Sequence, residues 1–227
     1  MNLTPENLRW VFIYMITLIV SVAIHEWGHA FMADKLGDDT PRRQGRVTLN
    51  PMAHADPIGT IALPLISSLL GAATGRVGGF GWGRPVQWNP ARINRKWKMW
   101  QATILVAIAG PTMNLILGTV LTILDVVLVT KNLVVPTSPI IQIIWFAATT
   151  NYILFFFNLV PVPPLDGGHV AESLTPYKHR RKWEEYLRYS PFVFLALICI
   201  PQVQVIFTVP AVWCRDHVAS VFIALLT

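Results

Sequence analysis

Two histidines and a glutamate, in the run His25-Glu26-Trp27-Gly28-His29, interrupt a stretch over residues 8–32 that is otherwise almost wholly apolar. The stretch is long enough to cross a bilayer as a helix, and Arg9 is the only other charged residue in it. On a helix, this His-Glu-x-x-His spacing puts two imidazoles one turn apart on the same face, where they can share a zinc ion. Glu26 falls beside them, placed to take a proton from a metal-held water. Ionisable groups at membrane depth are costly, so the cluster marks a functional site and fixes the environment in which the chain must fold.

Composition agrees with that environment. Only 13% of the 227 residues are charged and 53% are hydrophobic, whereas soluble domains carry about 25% charged residues. The expectation is an all-α polytopic membrane protein forming a single domain over residues 1–227, with no separate soluble domain, repeat or low-complexity tract. The formal net charge of +6 bears on membrane orientation, not on nucleic acid. Cys199 and Cys214 make neither a disulfide framework nor a metal motif. Ser21-Val22-Ala23 faintly resembles a signal-peptidase site, but Glu6 offsets Arg9, so no basic region precedes it. Cleavage there would also strip the helix from the histidines.

Along the chain, a first helix is predicted over residues 8–36, ending at Gly37. A second apolar run, 58–73, is short and contains Pro64. Residues 76–98 are rich in Gly, Trp and basic side chains, and 81–86 read as loop or short strand. Long helices are predicted at 99–129 and 140–159. Pro161, Pro163 and Pro164 break the second of these just before Leu165-Asp166-Gly167-Gly168-His169. A basic stretch, 178–188, precedes a last apolar region, 192–227, which crosses once or twice.

If run 58–73 dips into the membrane and returns, ten Lys and Arg within 35–98 and five within 178–188 share one face, out of eighteen in the chain. That is a strong positive-inside bias toward the cytoplasm. The same topology opens the end of the first helix and Asp166 toward one side. The predicted architecture is therefore a bundle of about four transmembrane helices plus a re-entrant segment and short strand or loop elements.

A catalytic zinc normally has three protein ligands and one open position. His25 and His29 supply two. Asp166 is favoured as the third, because prolines fix the chain before it and glycines after it allow close backbone approach. Asp125 competes, but lies toward the non-basic end of its helix.

The pattern resembles the site-2 protease family of intramembrane zinc metalloproteases. That family pairs His-Glu-x-x-His with a later Asn-x-x-Pro-x-x-x-x-Asp-Gly, which here runs from Asn158 through Pro161 to Asp166 and Gly167. Gly110-Pro111-Thr112-Met113-Asn114 matches a third family feature. The runs 49–60 and 81–86 resemble the small prokaryotic branch without PDZ or CBS domains. The resemblance covers residues 20–170 and implies one zinc per chain, held by His25, His29 and Asp166, with Glu26 as general base. It implies a multi-pass protein of the cell membrane, active toward the cytoplasmic side, cutting transmembrane protein substrates within or near their membrane segments. Asn158, with Asn114 behind it, is the candidate oxyanion donor; both also read as interhelical hydrogen-bonding residues. His54 reads equally as an active-site group or as the cap of a turn. Two rivals stand beside this reading: a divalent-metal transporter, which would need ligands at several depths, and a catalytically inactive relative that binds membrane helices.

Overall fold

A computed structural model of the chain describes residues 4–72 and 78–226. Helix α1 (Pro5–Lys35) starts where the Thr4 hydroxyl accepts the Asn7 N–H at 3.2 Å and Pro5 takes the first helical position. It stops at Gly37, whose φ of +112° ends the helix with the left-handed turn that glycine tolerates best. At 1.5 Å per residue its 31 residues span about 46 Å, ample for a bilayer core of about 30 Å. Single turns α2 (Thr40–Arg43) and α3 (Pro51–His54) follow. A π-helical turn (Pro57–Ala62) then runs into α4 (Leu63–Ala72).

The remaining helices are α5 (Met99–Thr130), α6 (Pro139–Asn158), α7 (Asp166–Leu174), α8 (Arg180–Cys199) and α9 (Pro201–Leu226). Four of them, α1, α5, α6 and α9, are long and apolar enough to cross a membrane. The last apolar region thus holds one helix long and apolar enough to cross. Pro201 opens α9, where a missing N–H costs nothing, and Pro210 is absorbed inside it.

Helix α5 is the hub, packed against α1, α6, α7 and α9. The outer faces are apolar: Phe12, Ile16 and Val20 on α1 and Ile116, Val120 and Leu124 on α5 form exposed stripes at helical spacing. Contiguous exposed stripes of this kind suit lipid and not water. The protein is an all-α polytopic membrane protein.

Residues 57–72 and 78–86 run in and back along the same side of the bundle. The helical stretch through Ala72 runs alongside α1 toward its start, where the Asn7 amide donates to the Ala72 carbonyl. The chain then returns antiparallel: a Cβ on Gly79 would meet Ser67, one on Gly81 would meet Pro64, and Trp82 N–H bonds the Gly59 carbonyl. Arg84 N–H reaches the His54 carbonyl at 2.8 Å, back at the level where the segment began. Residues 78–89 form neither helix nor ladder; no strand occurs among the described residues. The loop alternative for 81–86 therefore holds, because these backbone groups bond a helical segment instead of a neighbouring strand.

The C-terminal end of α1, the start of α5 and the α7–α8 region lie at one end of the bundle. There Asn94 N–H bonds the Leu36 carbonyl and Arg92 pairs with Asp39. The fifteen basic residues counted above cluster at this end, apart from Arg76, which lies outside the described residues.

Candidate metal centre

His25 and His29 sit on successive turns of α1 and face α5. Their Nε2 atoms are 3.0 Å apart. Asp166, the first residue of α7, brings its carboxylate to both, with Oδ2 3.2 Å from His25 Nε2 and Oδ1 3.4 Å from His29 Nε2. The prolines and glycines around Asp166 make this approach possible. A Cβ on Gly168 would come within 2.7 Å of the Pro163 nitrogen, so the start of α7 folds back tightly on the preceding turn. Asp166 thus lies beside both histidines, where the three could share an ion. The competitor Asp125 is elsewhere, lining a separate cavity with Arg215.

Both imidazoles are held from behind. The Nδ1–H of His25 donates to Asn114 Oδ1 at 2.7 Å, and that of His29 donates to the Val106 carbonyl at 2.7 Å. With Nδ1 carrying the proton, each ring turns a lone pair on Nε2 toward Asp166. Asp166 Oδ2 is buried and has no hydrogen-bond donor among the described residues. Two inward lone pairs and an orphaned carboxylate oxygen repel one another unless a proton or a metal cation sits among them. Donors around a tetrahedral zinc at 2.0–2.1 Å lie about 3.3 Å from each other, which the three separations match. Zinc fits this donor set, and the three side chains form a metal-capable group among the described residues.

Gly110 makes room for the pair. A Cβ at this position would overlap His29 Nε2 and come within 2.8 Å of His25 Nε2. The Gly-Pro-x-x-Asn run on α5 therefore has two tasks here: absence of a side chain at 110 and an acceptor one turn later at 114.

Glu26 is buried beside the cluster, and its Oε2 accepts the Val86 N–H at 3.2 Å. The group opens into a cavity of about 450 Å³ lined by Glu26, Trp82, Val86, Phe157, Asn158 and Asp166 among others. The returning loop that forms one wall is fixed by buried Arg46, whose guanidinium donates to the carbonyls of Ala53 and Arg84.

Two residues open to two readings in the sequence take the structural one in each case. Asn114 is fully buried, and its Nδ2 donates to both Ser21 O and Asn151 Oδ1, so no amide hydrogen is left for an oxyanion. It orients His25 instead. His54 is fully buried and does not line the cavity; its Nε2 bonds the Thr48 carbonyl at 2.8 Å, making it a turn residue under the loop. Asn158 lines the cavity, and among the described residues its amide makes one bond, from Nδ2 to the Leu154 carbonyl within α6. His169 is exposed at the rim. Sequence reasoning missed Asn151. The available signal was a second asparagine inside an apolar helix, seven residues before Asn158 and so on the same face.

Comparison with known proteins points the same way. The profile of peptidase family M50 matches residues 123–199. YwhC of Bacillus subtilis, named as a candidate zinc metalloprotease, is 41% identical over 190 residues, covering 82% of this chain and 80% of its own length. Rip2 of Mycobacterium tuberculosis, similarly named, is 29% identical over 94% of this chain and 78% of its own. Rip2 of Mycolicibacterium smegmatis is 31% identical over 79% of this chain and 64% of its own. No solved structure matches.

Proposed function

The chain belongs to peptidase family M50, the site-2 proteases, and from that premise we propose that it cuts membrane-anchored proteins within or beside their transmembrane segments. It is a membrane-embedded zinc metalloprotease. His25, His29 and Asp166 are the proposed ligands and Glu26 the general base. The observation that carries the reading is the meeting of these four side chains in one cavity between apolar, membrane-length helices.

When bound, zinc supplies a Lewis acid that polarises the scissile carbonyl and makes water acidic enough to attack near neutral pH. The chain's own groups do the rest. Glu26, held by the Val86 N–H, accepts the proton of the attacking water and returns it to the leaving amine. Asn158 offers its second amide hydrogen to the developing oxyanion. A substrate helix hides its carbonyls in i to i−4 hydrogen bonds, so it must unwind before attack. The returning loop can hold the unwound strand. Trp82 and Arg84 spend their N–H groups on the re-entrant side, while Gly81 and Gly83 alternate with them and line the cavity. The basic end of the bundle, at which the site opens, is assigned to the cytoplasm by the positive-inside rule, in the cell membrane.

The test is Glu26→Gln, reconstituted in vesicles with a reporter protein carrying one transmembrane helix. Cleavage falls by roughly 10²–10⁴-fold, while zinc content stays at the wild-type level. Wild-type cleavage by the variant, or equal cleavage of a soluble reporter lacking the helix, overturns the proposal.

A further inference from the structure

Behind the metal centre lies a buried polar chain that crosses three helices. His25 Nδ1 meets Asn114 Oδ1 on α5. Asn114 Nδ2 donates to the Ser21 carbonyl on α1 at 3.2 Å and to Asn151 Oδ1 on α6 at 3.0 Å. Asn151 Nδ2 in turn donates to Ser21 Oγ at 2.9 Å and to the Ala147 carbonyl at 2.9 Å. Ser21, Asn114 and Asn151 are each no more than 1% exposed.

The direction of this chain is fixed by chemistry. Carbonyl oxygens only accept, so the atom of Asn151 facing Ala147 O must be nitrogen and its oxygen must face Asn114. The atom of Asn114 facing Ser21 O and Asn151 Oδ1 must likewise be nitrogen, which leaves oxygen toward His25. An acceptor there holds the proton on Nδ1 of His25 and frees Nε2 for the metal. Were Asn114 to turn over, its oxygen would face two other oxygens and its N–H groups would face His25. That orientation favours the tautomer with the proton on Nε2, which cannot bind a metal.

We infer that Asn151 is a positioning residue for the metal centre. It locks the amide orientation of Asn114, and through it the metal-binding tautomer of His25. Asn158 lies two turns further along the same face of α6 and lines the cavity. The bond to Asn114 therefore also sets the register of the oxyanion candidate against the metal ligands. The inference rests on His25 being a ligand, and its test reads metal binding so that the two can fail separately.

Zinc is titrated into the full-length protein in detergent, with Co²⁺ as a spectroscopic probe of ligand geometry. Asn151→Leu is expected to weaken zinc binding by roughly ten- to a hundredfold and to alter the Co²⁺ absorption. Asn114→Asp supplies the discriminating background, because a carboxylate presents oxygen to His25 whichever way it turns. In that background, where a second carboxylate oxygen already faces Ser21 O and Asn151 Oδ1, Asn151→Leu does not weaken zinc binding further. A merely structural asparagine would cost the same in both backgrounds, and that result overturns the inference, as does wild-type zinc affinity in Asn151→Leu. If the leucine variant does not fold, Ser21→Ala takes its place. It removes one of the two acceptors that orient Asn151, and must lower zinc affinity in the wild-type background only. Failure of the wild-type protein to bind zinc would instead overturn the ligand assignment itself.

Discussion

Two groups of ionisable side chains lie among the apolar helices, and they solve the cost of burial in opposite ways. At the basic end, His25, His29 and Asp166 turn electron pairs toward one another, and Asp166 Oδ2 finds no donor among the described residues. Their hydrogen-bonding capacity on the far side is spent on Asn114 and Val106. Toward the other end, Arg215 of α9 stacks 4.1 Å from the centroid of Trp145, donates to Thr149 Oγ1 at 2.7 Å and pairs with Asp216. Asp125 lines the same small cavity of about 180 Å³. The first group awaits a cation from outside; the second holds the Arg215 guanidinium in its own cavity, although Asp125 Oδ1 too has no hydrogen-bond partner among the described residues. A site built for an external ion leaves like groups facing each other, while a structural cluster pairs unlike ones. This contrast also weighs against transport: Asp125, the acid a second ion site would need, shares its cavity with a fixed guanidinium.

The sharpest way to break the comparison is to remove one acid from each group. Asp166→Asn is expected to abolish cleavage and reduce zinc binding by at least about a hundredfold, since one proposed ligand of three loses its charge. Asp125→Asn is expected to change neither. Zinc titration and reporter cleavage on the two variants decide it, and a loss of zinc in Asp125→Asn would erase the distinction.

A smaller change probes how tightly the first group is packed. Gly110→Ala adds one methyl where His29 Nε2 already sits, so the rings must shift or α1 must move off α5. A displacement of about 1 Å at a reacting centre costs on the order of 10²-fold. Cleavage should fall by about that much, with weaker zinc binding and a fold that survives gel filtration. Full activity in this variant would mean that the imidazoles are free to rearrange and that their close approach has no consequence.

These features differ in how far they could be read from residues alone. The four crossings were legible because apolar length needs no partner to interpret. Glu26 and the two histidines were legible because their spacing acts within one helix. Asp166 needed only a chain break and two glycines to mark it. The roles of Asn114 and Asn151 depend on how α1, α5 and α6 are rotated against one another, and nothing in the linear order carries that. The sequence accordingly left Asn114 open between oxyanion donor and interhelical hydrogen-bonding residue, and only the packing shows its amide hydrogens committed. His54 could not be placed because its partner, the Thr48 carbonyl, is set by the path of a loop. The division of the last apolar region turned on which of two prolines starts a helix. Pro201 does so at the active-site end, where α8 has just brought Leu197 against Val162 and Leu165.

The least disruptive prediction concerns the self-neutralised group. Arg215→Leu removes the Thr149 hydrogen bond and the stack on Trp145, while Asp216, largely exposed, remains solvated. The cation–π and hydrogen-bond losses together cost about 2 kcal/mol, which lowers the unfolding midpoint by about 4–8 °C for a chain of this size. Adding Asp125→Leu should restore part of that loss, because the acid no longer sits in an apolar cavity without its cation. Zinc affinity and cleavage per folded molecule should stay at wild-type values throughout. A variant that keeps its midpoint but loses cleavage would show that the Arg215 cluster acts on the reaction, and the two groups would then have to be understood as one machine.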